Sequence, residues 1–257
     1  MRISIITINL NNAVGLQNTI ESVINQSYLD IEYIIIDGNS NDLSTSIIRR
    51  NEKYISYWVS EKDRGIYDAM NKGILASTGE YLLFLNSGDT LLHNQTIQEV
   101  VNIGLYHELV YGNLTLINRG KERTWSPPAQ LSFGFFLKSA LPHPATFIKR
   151  SLFTKVGLFD EALFIVSDWK FFLLAICRDN CSYKHVNVTI SRFNEDGISS
   201  DPKNSYKIEV ERGEVLKMHF PAFIDDYKDY FNIQQEFRNV RLYAKLKKRF
   251  RFNRGPY

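Results

Sequence analysis

Four apolar runs constrain this chain more than any other feature: Ile3–Ile8, Ile31–Ile36, Ile55–Val59 and Tyr81–Leu85. Each is short and rich in β-branched or aromatic residues, the pattern of strands buried on both faces. Between them the apolar spacing turns helical. Leu16, Ile20, Val23 and Ile24 share one stripe; Asp42 can cap a helix through Ile47 and Ile48; and Gly65 precedes a helix carrying Ala69, Met70, Gly73 and Ile74. Strand–helix alternation of this kind predicts a mostly parallel α/β sheet with helices on both faces. Polar clusters follow the runs: Thr7 and Asn9, Asp37 to Asp42, Glu61 to Arg64, and Asn86 to Asp89. Chain direction puts all four at the carboxyl edge of the sheet, where open α/β sheets bind ligands.

The second half is less regular. Leu109–Ile117, Ala145–Ile148 and Tyr183–Phe193 read as strands, and Ser151–Val156, Asp168–Ile176 and Lys203–Met218 as helices; Trp125–Pro128 reads as a loop. No stretch approaches the ~20 consecutive apolar residues of a membrane span. The N-terminus opens directly on a strand-like run, so no signal peptide is expected. Cys177 and Cys181 match neither a zinc pattern nor a disulfide framework, and are expected to be reduced and partly buried. From Arg238 to Tyr257 there are eight Lys or Arg and no Asp or Glu, against a net charge of +3 for the whole chain. An acidic body with a basic tail excludes a nucleic-acid-binding face spread over the domain. In the tail, Leu242, Leu246 and Phe250 fall on one helical stripe among the basic residues. Such a helix either packs on the domain or lies on an anionic membrane surface, and the second is expected here.

Two carboxylates carry the chemical expectation. Asp89 ends the turn after Tyr81–Leu85, aimed at the crevice. A diphosphate there would be repelled by a lone carboxylate unless a hard cation lay between, and Mg²⁺ commonly binds one or two carboxylates plus substrate phosphates. Asp168 opens an apolar helix, where it can cap the helix or take a proton from an attacking hydroxyl.

The ordered set "SVINQSY", "IEYIIIDGNSNDLS" and "EKDRGIYDAMNKGILASTGEYLLFLNSGD" resembles family 2 glycosyltransferases, in a subgroup common among bacterial polysaccharide transferases, from Met1 to about Asp168. The resemblance implies the Rossmann-like A-type glycosyltransferase fold with a helical C-terminal extension. It implies a glycosyltransferase domain over 1–220, its nucleotide-binding half about 1–112 and its acceptor half about 113–220, and a basic extension over 221–257. It further implies inverting transfer of a sugar from a UDP- or GDP-sugar to a hydroxyl of a glycan or lipid-linked acceptor. By the same resemblance, Asn86-Ser87-Gly88-Asp89 matches an Asp-x-Asp element with Asn86 in the first position, making Asp89 the ligand of Mg²⁺ or Mn²⁺. Thr7, Asn9, Asp37 and Ser40 match the nucleoside site, and Asp63 the ribose or sugar. Arg64, Asn71 and Lys72 are placed near the diphosphate, His143 near the diphosphate, sugar or metal, and Asp168 as general base. Ser167 stands where the family usually has Glu. Trp125 and Trp169 are candidates for sugar stacking or core packing.

Together with the tail, this places the expected protein at the cytoplasmic face of the inner membrane, in surface polysaccharide or lipopolysaccharide assembly. Three other readings fit less well. A nucleotidyltransferase would want a Gly-rich basic loop after the first strand, and Thr7 to Gly15 offers none. A non-catalytic sugar-binding or scaffold protein of the same fold would have lost Asp89 or Asp168. A membrane adaptor would leave the four polar clusters unexplained.

Overall fold

The computed structural model describes residues 1–195, 197–226 and 229. The first ninety residues run β1 (Ile3–Asn9), α1 (Ala13–Ile24), β2 (Ile31–Asp37), α2 (Ser44–Arg50), β3 (Tyr57–Ser60), α3 (Ile66–Ala76), β4 (Tyr81–Phe84) and β5 (Thr90–Leu91). Then follow α4 (Thr96–Ile103), β6 (Leu109–Asn118), β7 (Lys121–Trp125), α5 (Phe133–Phe136), β8 (Thr146–Lys149), α6 (Ser151–Val156), α7 (Ser167–Leu173), β9 (Tyr183–Asn194) and α8 (Ser205–His219). The strands form one nine-stranded sheet in the order β3-β2-β1-β4-β8-β6-β9-β5, with β7 paired to β6.

The left of the sheet is the parallel α/β unit that the apolar runs predict. β1 pairs in parallel with β2 and β4, and β2 with β3. Ile3, Ile5, Ile6, Ile34, Ile35, Ile36, Leu82, Leu83 and Phe84 are wholly buried, so both faces of these strands are covered. Helix α1 starts at Asn12, whose side chain accepts from the Gly15 N–H and closes the first turn. Helix α3 lies close on the sheet because Gly73 faces it: a Cβ there would come within 2.4 Å of the Ile6 methyl. The right side is mixed. β8 runs antiparallel to β4 and β6, β9 runs parallel to β6, and β5 antiparallel to β9.

Several elements differ from expectation. β7 ends on Trp125, the first residue of the expected loop Trp125–Pro128; its residues Lys121 to Thr124, where no element is expected, are exposed on both faces, so no apolar alternation marks it. β5 and α4 lie between Asp89 and Gly104, where no element is expected. Helix α7 relaxes into a π turn at Leu174–Arg178, with free Cys177 half-buried and free Cys181 buried beyond it. Residues up to Ile208 form one compact unit, and a second begins at Glu209, inside the span of α8. Among the described residues no helix is long and apolar enough to cross a membrane. The basic stripe Leu242, Leu246 and Phe250 lies outside the described residues.

Candidate active site

Strand register builds the first part of the site. Asn9, Asp37 and Ser60 are direct neighbours at the carboxyl ends of β1, β2 and β3. The Asp37 carboxylate, fully buried, accepts from Asn9 Nδ2 at 2.7 Å, Ser40 Oγ at 2.6 Å, the Ser40 N–H at 3.0 Å and Ser60 Oγ at 2.6 Å. Four donors on one carboxylate fix the loop after β2, each hydrogen bond to a charged group contributing ~1.5–3 kcal/mol. A second layer ties that loop to the one after β1. Asn11 N–H donates to Ser40 Oγ, Asn41 N–H to Asn11 Oδ1, and Ala13 N–H to Asp42. Thr7 sits beneath this rim rather than on it. Its hydroxyl, wholly buried, donates to the Leu85 carbonyl and meets the Tyr33 hydroxyl.

The second part is an ionic cluster after β3. Lys72 Nζ reaches Asp63 at 2.7 Å, Glu61 at 2.8 Å and Asp68 at 3.4 Å. Arg64 bridges Asp68 and Glu161, each at 2.7 Å. Burial pushes the Asp63 carboxyl above its ordinary range even with Lys72 beside it. Burial alone would lower the Lys72 ammonium, but its carboxylate partners hold it above the ordinary lysine range. Four carboxylates thus surround the two cations expected near a diphosphate. Asn71 departs furthest from expectation. It is buried, and its amide grips the backbone of Phe159, donating to the carbonyl at 2.9 Å and accepting the N–H at 3.0 Å.

The third part gathers at the end of β4. Gly88, with φ of 107°, turns the chain between Asn86 and Asp89 in a conformation that favours glycine. Thr19 of α1 clasps this turn, accepting from the Gly88 N–H and donating to the Asp89 carbonyl. Asp89 is 5% exposed, and burial raises its carboxyl to about 7, against the pull of His143 and of the Asn194 N–H. Its Oδ2 and the Oδ1 of Asn86 are both buried without a hydrogen-bond partner. From Asn86 a chain of contacts leads to Asp168. Asn86 Nδ2 lies 3.2 Å from His143 Nε2, and His143 Nδ1 lies 3.2 Å from Asp168 Oδ2. The hydroxyl of Tyr67 donates to Asp168 Oδ1 at 3.1 Å. Burial would raise the Asp168 carboxyl, but His143, the Trp169 N–H and Tyr67 outweigh it and hold it below its ordinary range. Asp168 is therefore an ionised acceptor near neutral pH.

The structure thus brings Asp89, His143 and Asp168 together, and Asn9, Asp37 and Ser40 together. Thr19, Ser60 and Tyr67 complete these groups without having been expected. Ser60 was recoverable, as the polar residue closing the strand next to Asp37. Tyr67 was not, because its partner lies 101 residues on. Trp169 is buried with its indole N–H on the Phe136 carbonyl, and Trp125 packs against the core, so both belong to packing.

The chain matches Glycosyl transferase family 2 over residues 4–163. It is 31% identical over 202 residues to a PGL/p-HBAD biosynthesis glycosyltransferase of Mycobacterium bovis, covering 76% of this chain and 77% of that one. The protein belongs to glycosyltransferase family 2 and is a glycosyltransferase. Its fold is that of solved A-type glycosyltransferases. TarS 1–349 of S. aureus in complex with UDP-GlcNAc superposes with a TM-score of 0.65 at 15% identity, over 79% of this chain and 61% of that one. The mannosyltransferase PcManGT of Pyrobaculum calidifontis, in complex with GDP-Man and Mn²⁺, superposes with a TM-score of 0.59 at 17% identity, over 87% and 64%.

Proposed function

We propose that this glycosyltransferase moves a sugar from a UDP- or GDP-sugar to a hydroxyl of a glycan or lipid-linked acceptor, with inversion at the anomeric carbon. The observation that carries the reading is the convergence of Asp89 and Asp168 from separate elements, joined through Asn86 and His143, beside two buried oxygens that have no partner. Asp168, ionised and within reach of the crevice, takes the proton of the attacking hydroxyl. His143 and Tyr67 hold its two oxygens in place. The loops fixed by Asp37 receive the nucleoside, with Asn9 and Ser40 on their inner side and Asp63 beyond them toward the sugar.

The residues present fit a divalent cation. Asp89 Oδ2 and Asn86 Oδ1 are hard oxygen donors left without partners, and the ionic cluster around Lys72 is too rich in carboxylates to receive a diphosphate unaided. Among the described residues no group of three or more His, Cys, Asp or Glu could hold a metal alone, which suits an ion completed by substrate phosphates. Mg²⁺ or Mn²⁺ held by Asp89 would supply charge neutralisation to the departing nucleoside diphosphate. The solved relatives named for UDP-GlcNAc and for GDP-Man with Mn²⁺ support both the donor class and the ion. A place at the cytoplasmic membrane surface, in surface polysaccharide assembly, rests on the subgroup resemblance and the basic tail.

The test is nucleotide release from UDP-GlcNAc and GDP-mannose with Mn²⁺, in wild type and Asp168→Asn. Loss of a general base lowers turnover by roughly 10²–10⁴-fold while nucleotide binding survives. Unchanged turnover in Asp168→Asn would remove Asp168 from the mechanism.

A further inference from the structure

The segment from Phe159 to Asp168 leads into α7 and delivers Asp168 to the site. It is closed on itself by Asp160, whose N–H donates to Ser167 Oγ and whose carboxylate pairs with Lys170 at 2.6 Å. What ties this closed segment to the rest of the domain is α3. Asn71 makes two hydrogen bonds to the backbone of Phe159 at the start of the segment. Its Nδ2 also reaches Glu161 at 3.1 Å, and Arg64 just before the helix pairs with Glu161. One turn earlier, Tyr67 meets the end of the segment at Asp168. The Tyr67 and Phe159 rings lie 5.8 Å apart between the two grips. Residues four apart on a helix share a face, so a single face of α3 holds both ends. The helix itself is fixed, since Gly73 lets it seat directly on Ile6 of β1.

We propose that Tyr67 and Asn71 are positioning residues for the transfer step, and that α3 is the strut that sets Asp168 against the donor site. The proposal rests on the reading of Asp168 as the base. It assigns Asn71 to the anchoring of the acceptor half and takes it out of the donor contacts. Tyr67 acts on the reaction through Asp168: its hydroxyl donates to the oxygen that His143 leaves free and takes the backbone N–H groups of Ser167 and Asp168, fixing the orientation of the carboxylate. A donor engaging a charged acceptor fixes geometry as well as energy, so its removal loosens the carboxylate at that oxygen while His143 still holds the other.

The experiment combines a mutant cycle with hydrogen exchange. Nucleotide release from UDP-GlcNAc and GDP-mannose with Mn²⁺ is measured for wild type, Tyr67→Phe, Asp168→Asn and the double variant; calorimetry with UDP and GDP follows donor-site integrity. Tyr67→Phe keeps the ring and its packing on Phe159, so folding is preserved. The expected result is a fall in turnover of about tenfold in Tyr67→Phe with nucleotide affinity unchanged. In the Asp168→Asn background the same change costs no further turnover, because the base that Tyr67 orients is already gone. An equal loss in both backgrounds, or weakened nucleotide binding with turnover intact, overturns the proposal. Asp168→Asn with wild-type turnover instead sinks the reading of the base. Independently of any substrate, Asn71→Ala is expected to speed amide exchange across residues 159–168. Exchange there unchanged from wild type refutes the anchoring.

Discussion

Asp89→Asn should make the metal-free protein more stable at pH 8. The reason is the environment of the carboxylate. Asp89 is buried, its Oδ2 has no donor, and its carboxyl titrates at about 7 instead of 3.8. A carboxyl whose folded value is raised binds its proton more tightly in the native state. Stability from this group is therefore full below pH 3.8, falls as pH rises between 3.8 and about 7, and stays reduced above. At 1.36 kcal/mol per pH unit that gap corresponds to about 4 kcal/mol, an order-of-magnitude figure. Asn reproduces the shape of the protonated acid without its titration. Urea unfolding in EDTA should then show Asp89→Asn close to wild type at pH 4, and more stable by a few kcal/mol at pH 8. Adding Mn²⁺ with UDP or GDP should reverse the order, since only the carboxylate gains from the ion. A variant that is less stable than wild type at pH 8 in EDTA, or one whose advantage does not change with pH, would refute the reasoning.

Two further consequences follow from the packing. Ser60→Ala removes one of four donors on the buried Asp37, and should lower stability by ~1.5–3 kcal/mol and weaken UDP or GDP binding with it; an unchanged melting temperature would count against the Asp37 network. Gly73→Ala places a methyl 2.4 Å from the Ile6 side chain, and should destabilise by ~1–3 kcal/mol despite the better helix propensity of alanine. Combining it with Ile6→Ala should cost less than the sum of the two, measured by denaturant unfolding.

What could be read from sequence follows from burial. β1, β2 and β4 are buried at nearly every position because helices and loops cover both their faces, and their apolar runs stand out for that reason. β7 and the two-residue β5 carry no such mark, since pairing with β6 and β9, distant in sequence, is what makes them strands. The same limit governs the site. A carboxylate at a strand end is legible from chain direction, so Asp37, Asp89 and the polar residues beside them are found. Which partners hold them is decided by strand order and by contacts across the sheet. Thr7 and Asn71 look like rim residues, yet their polar groups are taken up by Leu85 and by Phe159, the latter 88 residues away. Asn86, standing where the family pattern has Asp, meets His143 from the turn before β8, 57 residues on.

The account turns on Asp89 as the residue through which a cation admits a nucleoside diphosphate. Calorimetric binding of UDP and GDP, with and without Mn²⁺, to wild type and Asp89→Ala tests this most directly. The account predicts that one nucleotide binds, that it binds only with Mn²⁺, and that Asp89→Ala abolishes the binding. Equal binding with and without Mn²⁺, or binding that survives in Asp89→Ala, would contradict it.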